Sequence, residues 1–215
     1  MTDRASFLAA VRATPRGDDP GPPGRDRAPN APTELRAGED PYDRFARECT
    51  AVGATVERVS AVGAAAAAAG ALAGAARVAV ADDTPAADAV LAACRAAGIE
   101  AARYAEIASD RARAGALDAT VTGCVAAVAA TGSIVTSAAS AGRAAALIAP
   151  THVCLVRRSE LVDGLHDLFA GDRLDGAGSL IAFQSGPSRS ADIEKTLILG
   201  VHGPGRVHVL LLDDV

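Results

Sequence analysis

The sequence predicts an α/β protein, a mainly parallel sheet with helices on both faces. Three observations predict it. From Ala54 onward, short apolar runs alternate with alanine-rich helical stretches, the β-α-β rhythm that requires parallel strands and right-handed crossovers. Half of the 215 residues are hydrophobic, yet there is no Trp and only two Tyr and four Phe, so the core is built from Ala, Val, Leu and Ile and its helices pack closely on the sheet. A strand-like run from Arg206 to Leu212 follows Gly203-Pro204-Gly205, and a terminal strand of this kind is usually tied into its sheet.

In chain order, Phe7, Leu8 and Val11 stand at helical spacing, which predicts an N-terminal helix over residues 1–13. Residues 14–41 hold seven of the eleven prolines (Pro15, Pro20, Pro22, Pro23, Pro29, Pro32 and Pro41) and almost no large apolar side chain. Such a segment buries too little surface to offset its ordering entropy and reads as a flexible linker. An α/β domain over 42–215 follows. Tyr42 to Val52 is helical through Phe45 and Cys49, with Gly53 as its stop. Ala54–Val59 alternates as a strand, Ser60 is placed to cap an alanine helix to about Gly74, and Arg77–Ala81 is a buried strand. Thr84 is placed to cap a helix that Gly98 ends. Ile99–Tyr104 and Asp118–Thr122 read as strands around a short helix near Ile107–Arg113. Cys124–Ala130 has room for one or two helical turns, Thr131-Gly132-Ser133 is a tight turn, and Ile134–Thr136 begins a strand. Val153–Val156 is another, Ser159 is placed to cap a helix through Phe169, and Leu180–Phe183 is the strand that enters the next junction.

That junction organises the rest. Gly186-Pro187 ends an apolar run, Ser188, Arg189 and Ser190 follow, and Ala191-Asp192-Ile193-Glu194 looks like a first helical turn, with Ser190 as its cap and Asp192 and Glu194 set favourably against the helix dipole. Arg189 does not fit capping, since a cation at a helix start opposes the dipole unless an anion joins it. A second loop, Ser137 to Arg143, is small and polar enough to approach a ligand closely. Ligands of open α/β sheets sit beyond the carboxyl ends of the strands. Thr131, Gly132, Ser133 and Ser137 from one loop, and Ser185, Gly186, Ser188, Arg189 and Asp192 from the other, are therefore expected to bind a small anion there, with Arg143 a further cation. Ordinary turn and cap chemistry accounts for the same serines and glycines equally well. His202 is a candidate general acid or base or a hydrogen-bonded loop residue; His152, His166 and His208 are assigned to structure.

Formal charge is −5, which excludes the basic footprint of a general nucleic-acid or anionic-membrane binder. Cys49, Cys94, Cys124 and Cys154 form no metal or iron–sulfur spacing and are expected as small core residues. No secretory or membrane-spanning pattern is present, so a cytoplasmic location is expected.

Thr131-Gly132-Ser133, Ser185-Gly186-Pro187-Ser188 with Arg189, Ala191 to Glu194, and Leu199-Gly200-Val201-His202-Gly203-Pro204 together resemble the lactate utilization protein C family, the LUD-domain proteins. The resemblance is close from Val121 onward, looser before it, and absent from the proline-rich segment. It implies a fold like that of the glucosamine-6-phosphate deaminase, ribose-5-phosphate isomerase and CoA-transferase superfamily, an open Rossmann-like α/β sheet. It also implies a role beside iron–sulfur partner proteins in oxidising L-lactate to pyruvate. No cofactor motif is visible in this chain, so the redox centres are expected on the partners. Family members often carry an acidic residue before the Thr-Gly turn; here it is Ala130, which argues against CoA transfer through a carboxylate at that position. Three readings remain open: a non-redox subunit of a lactate-oxidising system, a stand-alone enzyme on a phosphosugar or acyl-CoA substrate, and an interaction protein.

Overall fold

Every strand pairing in the main sheet is parallel, as the β-α-β rhythm requires. The computed structural model describes residues 39–139, 142–191, 197–200 and 202–213. The expected N-terminal helix and most of the linker lie outside them. The main sheet comprises β1 (Thr55–Ser60), β2 (Arg77–Val80), β3 (Glu100–Arg103), β4 (Ala119–Thr122), β7 (Thr151–Arg157) and β12 (Arg206–Asp213), in the order β1-β12-β7-β4-β2-β3. A smaller sheet, in the order β8-β5-β6-β9, holds β5 (Ala126–Val128), β6 (Ser133–Ser137), β8 (Leu161–Val162) and β9 (Ile181–Gln184).

Strand alternation divides the core. Val78 and Val80, Ala119 and Val121, Val153 and Leu155, and Leu210 and Leu212 face helices α2 (Ala64–Ala71) and α3 (Ala87–Ala96). Cys154 and Val156, with Val207, Val209 and Leu211, face α1 (Pro41–Ala51) and residues of the smaller sheet. Ala79 and Ala81 on that second face pack with Tyr104 and Ile107 of α4 (Tyr104–Ile107), and α5 (Arg111–Gly115) follows it. Two further short helices, α6 (Gly142–Ala145) and α7 (Leu165–Ala170), lie in the second half of the chain.

Helix α1 runs against the direction of the strands beside it. Asp40 accepts from the Tyr42 N–H at 2.9 Å and caps its start, with Pro41 in the first turn where a missing N–H costs nothing. The Tyr42 hydroxyl donates to the Leu212 carbonyl at 2.6 Å, which fixes this end near the carboxyl end of β12. The other end, turned by Gly53 at φ +97°, feeds β1 and so lies at the amino edge of the sheet.

Several local expectations are corrected. Cys124–Ala130 contains strand β5 instead of helical turns: Ala126, Ala127 and Val128 are all buried, so the run carries no amphipathic period, and the Val125 N–H donates to the Val135 carbonyl. Ser60 does not cap α2; it ends β1 and accepts from Gly63 N–H in the connecting turn at 3.1 Å. Thr84 does not cap α3, because its hydroxyl donates to the Val121 carbonyl at 3.1 Å, and α3 instead starts after Ala86 at φ +53°. Ser159 sits in a single 3-10 turn, Arg158–Glu160, ahead of the short strand β8, so α7 starts only after Gly164. The Leu180–Phe183 strand is present as β9 but belongs to the smaller sheet. Most consequential is the junction. Residues Arg189–Ala191 form β10, paired antiparallel with β11 (Leu197–Leu199), so Ser190 and Ala191 open a strand and not a helix. Asp192 to Glu194 lie outside the described residues.

Candidate functional site

The expected crevice at the carboxyl edge is filled. Strand order reverses between the neighbours β2 and β4, and the two loops leaving their carboxyl ends touch directly. A Cβ on Gly123 would stand 2.4 Å from the Asp83 carbonyl oxygen, and Gly123 N–H donates to Asp83 Oδ1 at 3.4 Å. The motif loops lie instead at the opposite, amino edge, gathered around the end of α1.

Three contacts assemble them. Gly132, at φ +60°, abuts Cys49 so closely that a Cβ would be 2.2 Å from its backbone nitrogen. Gly186, at φ +77°, leaves 2.5 Å between a Cβ and the Val52 carbonyl oxygen. The Arg189 guanidinium donates to that same carbonyl at 2.8 Å through Nη2. These residues clasp the last turn of α1, whose terminal carbonyls have no partner within the helix. Arg189 therefore has a structural partner, the one that cap chemistry did not supply in the sequence. Beside the clasp runs a row of hydroxyls: Thr131 Oγ1 to Ser133 Oγ at 2.7 Å and Ser133 Oγ to Ser185 Oγ at 2.6 Å. Ser133 is buried, while Ser185 and Arg189 are exposed. The two candidate loops do meet, through Thr131, Ser133 and Ser185.

The remaining candidates separate from this row. Ser137 is buried inside β6, and residues 140 and 141 of its loop lie outside the described residues. Ser188 binds through its backbone to the second motif loop, its N–H donating to the Pro204 carbonyl at 2.8 Å and its carbonyl accepting from Gly200 N–H at 2.9 Å. His202 is exposed on that loop and lines a different cleft. Arg206 and Leu147 of this cleft, and Thr151 bonded to Arg206, were not singled out from the sequence. Arg206 there reads as the first residue of a strand, and only its position beside Pro150, 56 positions earlier, gives it a role.

A second feature lay unread in the sequence: a buried polar chain across the two sheets. His152 in β7 is fully buried, with Nδ1 2.6 Å from Gln184 Oε1 in β9 and Nε2 2.8 Å from Thr122 Oγ1 in β4. An amide oxygen only accepts, so this arrangement puts a proton on Nδ1, while the one proton of the Thr122 hydroxyl is shared between Nε2 and the Gly123 carbonyl, 2.7 Å away. Burial drives the imidazole pKa down to about 4, partly offset by the hydrogen bond that Nδ1–H donates to Gln184 Oε1. All four cysteines are buried and unpaired. Burial, with the neighbouring Cys154, pushes the Cys49 thiol up to about 12, and contact with Cys154 followed by burial raises Cys124 as well. These thiols are packing residues and poor nucleophiles.

Among the described residues no group of His, Cys, Asp or Glu is arranged to hold a metal ion, and no helix is long and apolar enough to cross a membrane.

The comparisons with known proteins fit this architecture. A crystal structure of a DUF162 family protein from Deinococcus radiodurans superposes with a TM-score of 0.62 and 26% identity, over 84% of this chain and 100% of that one. Lactate utilization protein C of the same organism is 36% identical over 101 residues, which is 44% of this chain and 46% of the relative. Lactate utilization protein C of Bacillus velezensis is 35% identical over 79 residues, 34% of this chain and 33% of the relative. The chain thus spans less than half the length of these curated relatives. The LUD domain profile matches residues 42–212, which takes in every strand of the main sheet, the α1 clasp and both motif loops, and the chain belongs to the LUD-domain family.

Proposed function

We propose that this protein is a non-redox component of an L-lactate utilization system, acting beside iron–sulfur proteins that carry the electrons from lactate to an acceptor. The observation that carries the reading is the LUD match across residues 42–212, joined by relatives named lactate utilization protein C. The test is lactate-dependent electron transfer by the purified iron–sulfur partners with and without this chain. A rate that rises on addition of the chain is expected; an unchanged rate contradicts the reading.

Small-anion binding at loops 131–143 and 185–192 is part of the same proposal. The hydroxyl row and the exposed face of Arg189, whose bond to Val52 uses one nitrogen, support it. The site is on the amino edge, and Arg189 serves the clasp and the anion together. Arg189→Ala is expected to weaken L-lactate binding at least tenfold in calorimetry and to lower stability by about 1 kcal/mol through the lost bond to Val52. Equal lactate affinity in the folded variant would confine Arg189 to the clasp.

A further inference from the structure

The second motif loop forms one wall of an open cleft of about 540 Å³. That volume is within the roughly 300–1,000 Å³ usual for small-molecule sites. Two neighbouring clefts on the amino edge measure only about 140 and 160 Å³. The other wall is the Leu147–Pro150 turn, and the two are tied together by Gly205 N–H donating to the Pro150 carbonyl at 2.9 Å. The shape is set in advance: the Gly200 and Gly205 backbones lie so close that a Cβ on Gly200 would be 3.1 Å from Gly205 Cα.

Arg206 sets the chemistry. Its Nε donates to the Thr151 hydroxyl at 3.1 Å and its own N–H donates to the Pro150 carbonyl at 3.2 Å, so the stem of the side chain is held. Among the described residues it makes no ion pair, whereas Arg47, Arg58, Arg103, Arg157 and Arg158 each have a carboxylate. The carboxylate that shares an adjoining cleft with it, Asp118, already accepts from the Ala76 and Arg77 N–H groups at 2.9 and 2.8 Å. His208 on the same strand is held below the ordinary imidazole range first by burial and then by the Arg206 charge, with Glu57 opposing. A held guanidinium without an acid partner is a receptor for carboxylate or phosphate. His202 lines the same cleft, and Leu147 and Ile148, each 38% exposed, offer it an apolar floor.

We propose that this cleft binds an amphipathic anion, a carboxylate or phosphate attached to an apolar body, with Arg206 and His202 at the anionic end and Leu147 and Ile148 against the apolar one. The site does not depend on the lactate reading. Its cleft is distinct from the hydroxyl row and offers apolar contact that a three-carbon hydroxy acid does not need.

Calorimetric titration of the full chain with octanoate, octyl phosphate, 1-octanol and inorganic phosphate tests it. At least one of the two charged octyl probes is expected to bind at least tenfold more tightly than 1-octanol and than inorganic phosphate, and the ratio between those two identifies the preferred anion. Arg206→Gln is expected to cost at least tenfold for the preferred probe, and Arg206→Lys less. Ile148→Ser is expected to weaken that probe while leaving inorganic phosphate unchanged. Binding of the octyl anions that is equal in folded Arg206→Gln and wild type, or no binding of either at millimolar concentration, overturns the proposal.

Discussion

Replacing Gly132 with Ala is expected to destabilise the protein by about 3 kcal/mol or more. Two costs add. A non-glycine residue at φ +60° carries roughly 1–2 kcal/mol of left-handed strain. Overpacking adds typically about 1–3 kcal/mol. Here the overpacking is against backbone: the new methyl would stand 2.2 Å from Cys49 N and 2.5 Å from Cys49 Cα, and a helix backbone has no rotamer to change. The expected result is a large drop in the urea midpoint with an unchanged slope, and loss of the clasp that orders Ser185 beside Ser133. Gly74→Ala is the control, since it is also at positive φ (+88°) but has open space around it. It should show the strain cost alone. A Gly132→Ala protein no less stable than Gly74→Ala would mean that the turn does not press on α1.

Acid should weaken the fold through His152. Its imidazole is neutral in the folded protein, with a pKa of about 4 against 6.5 when exposed. Between those values the unfolded chain binds more protons than the folded one, so stability increases with pH. The contribution is complete above about pH 6.5 and is lost as pH falls towards 4; below 4 both states are protonated and nothing further is lost. From about pH 7 to about pH 5 this one group removes roughly 2 kcal/mol, since one pKa unit is worth about 1.4 kcal/mol. His152→Gln is less stable at neutral pH because it breaks the chain between Thr122 and Gln184. It should nonetheless lose less on acidification than the wild type. Urea denaturation of both proteins at the two pH values measures the difference. Equal losses in the two proteins would show that His152 is already charged in the fold.

The fold was legible because its signal is repeated. Six main-sheet strands of the sequence reading (Ala54–Val59, Arg77–Ala81, Ile99–Tyr104, Asp118–Thr122, Val153–Val156 and Arg206–Leu212) match β1, β2, β3, β4, β7 and β12 to within a few residues, and Gly53 ends α1 as expected. Each is an apolar run bounded by glycine, proline or a change of period. Errors gathered where a polar residue had two possible partners. Ser60, Thr84 and Ser159 all had the chemistry to cap a helix, and the first two found a turn N–H or a strand carbonyl instead. The short run Cys124–Ala130 carries no period, so nothing in it separates strand from helix. For the site, the convergence of Thr131-Gly132-Ser133 with Ser185-Gly186 was readable from the motifs, but the edge was not. Sequence order alone gave the loops to the carboxyl side; contact with Cys49 and Val52 puts them on the amino side. Arg206 went unnoticed because its importance comes from what it lacks, a carboxylate partner, and only spatial neighbours reveal that.

The amino edge as the ligand-facing side of the molecule is tested most directly by amide chemical shifts of the isotope-labelled chain during titration with octanoate. The shifts are predicted to concentrate at Gly200, His202, Gly203, Gly205 and Arg206, with Ala149 opposite them. Shifts concentrated instead at Asp82, Asp83, Gly123 and Cys124, around the filled crevice between β2 and β4, would contradict the account.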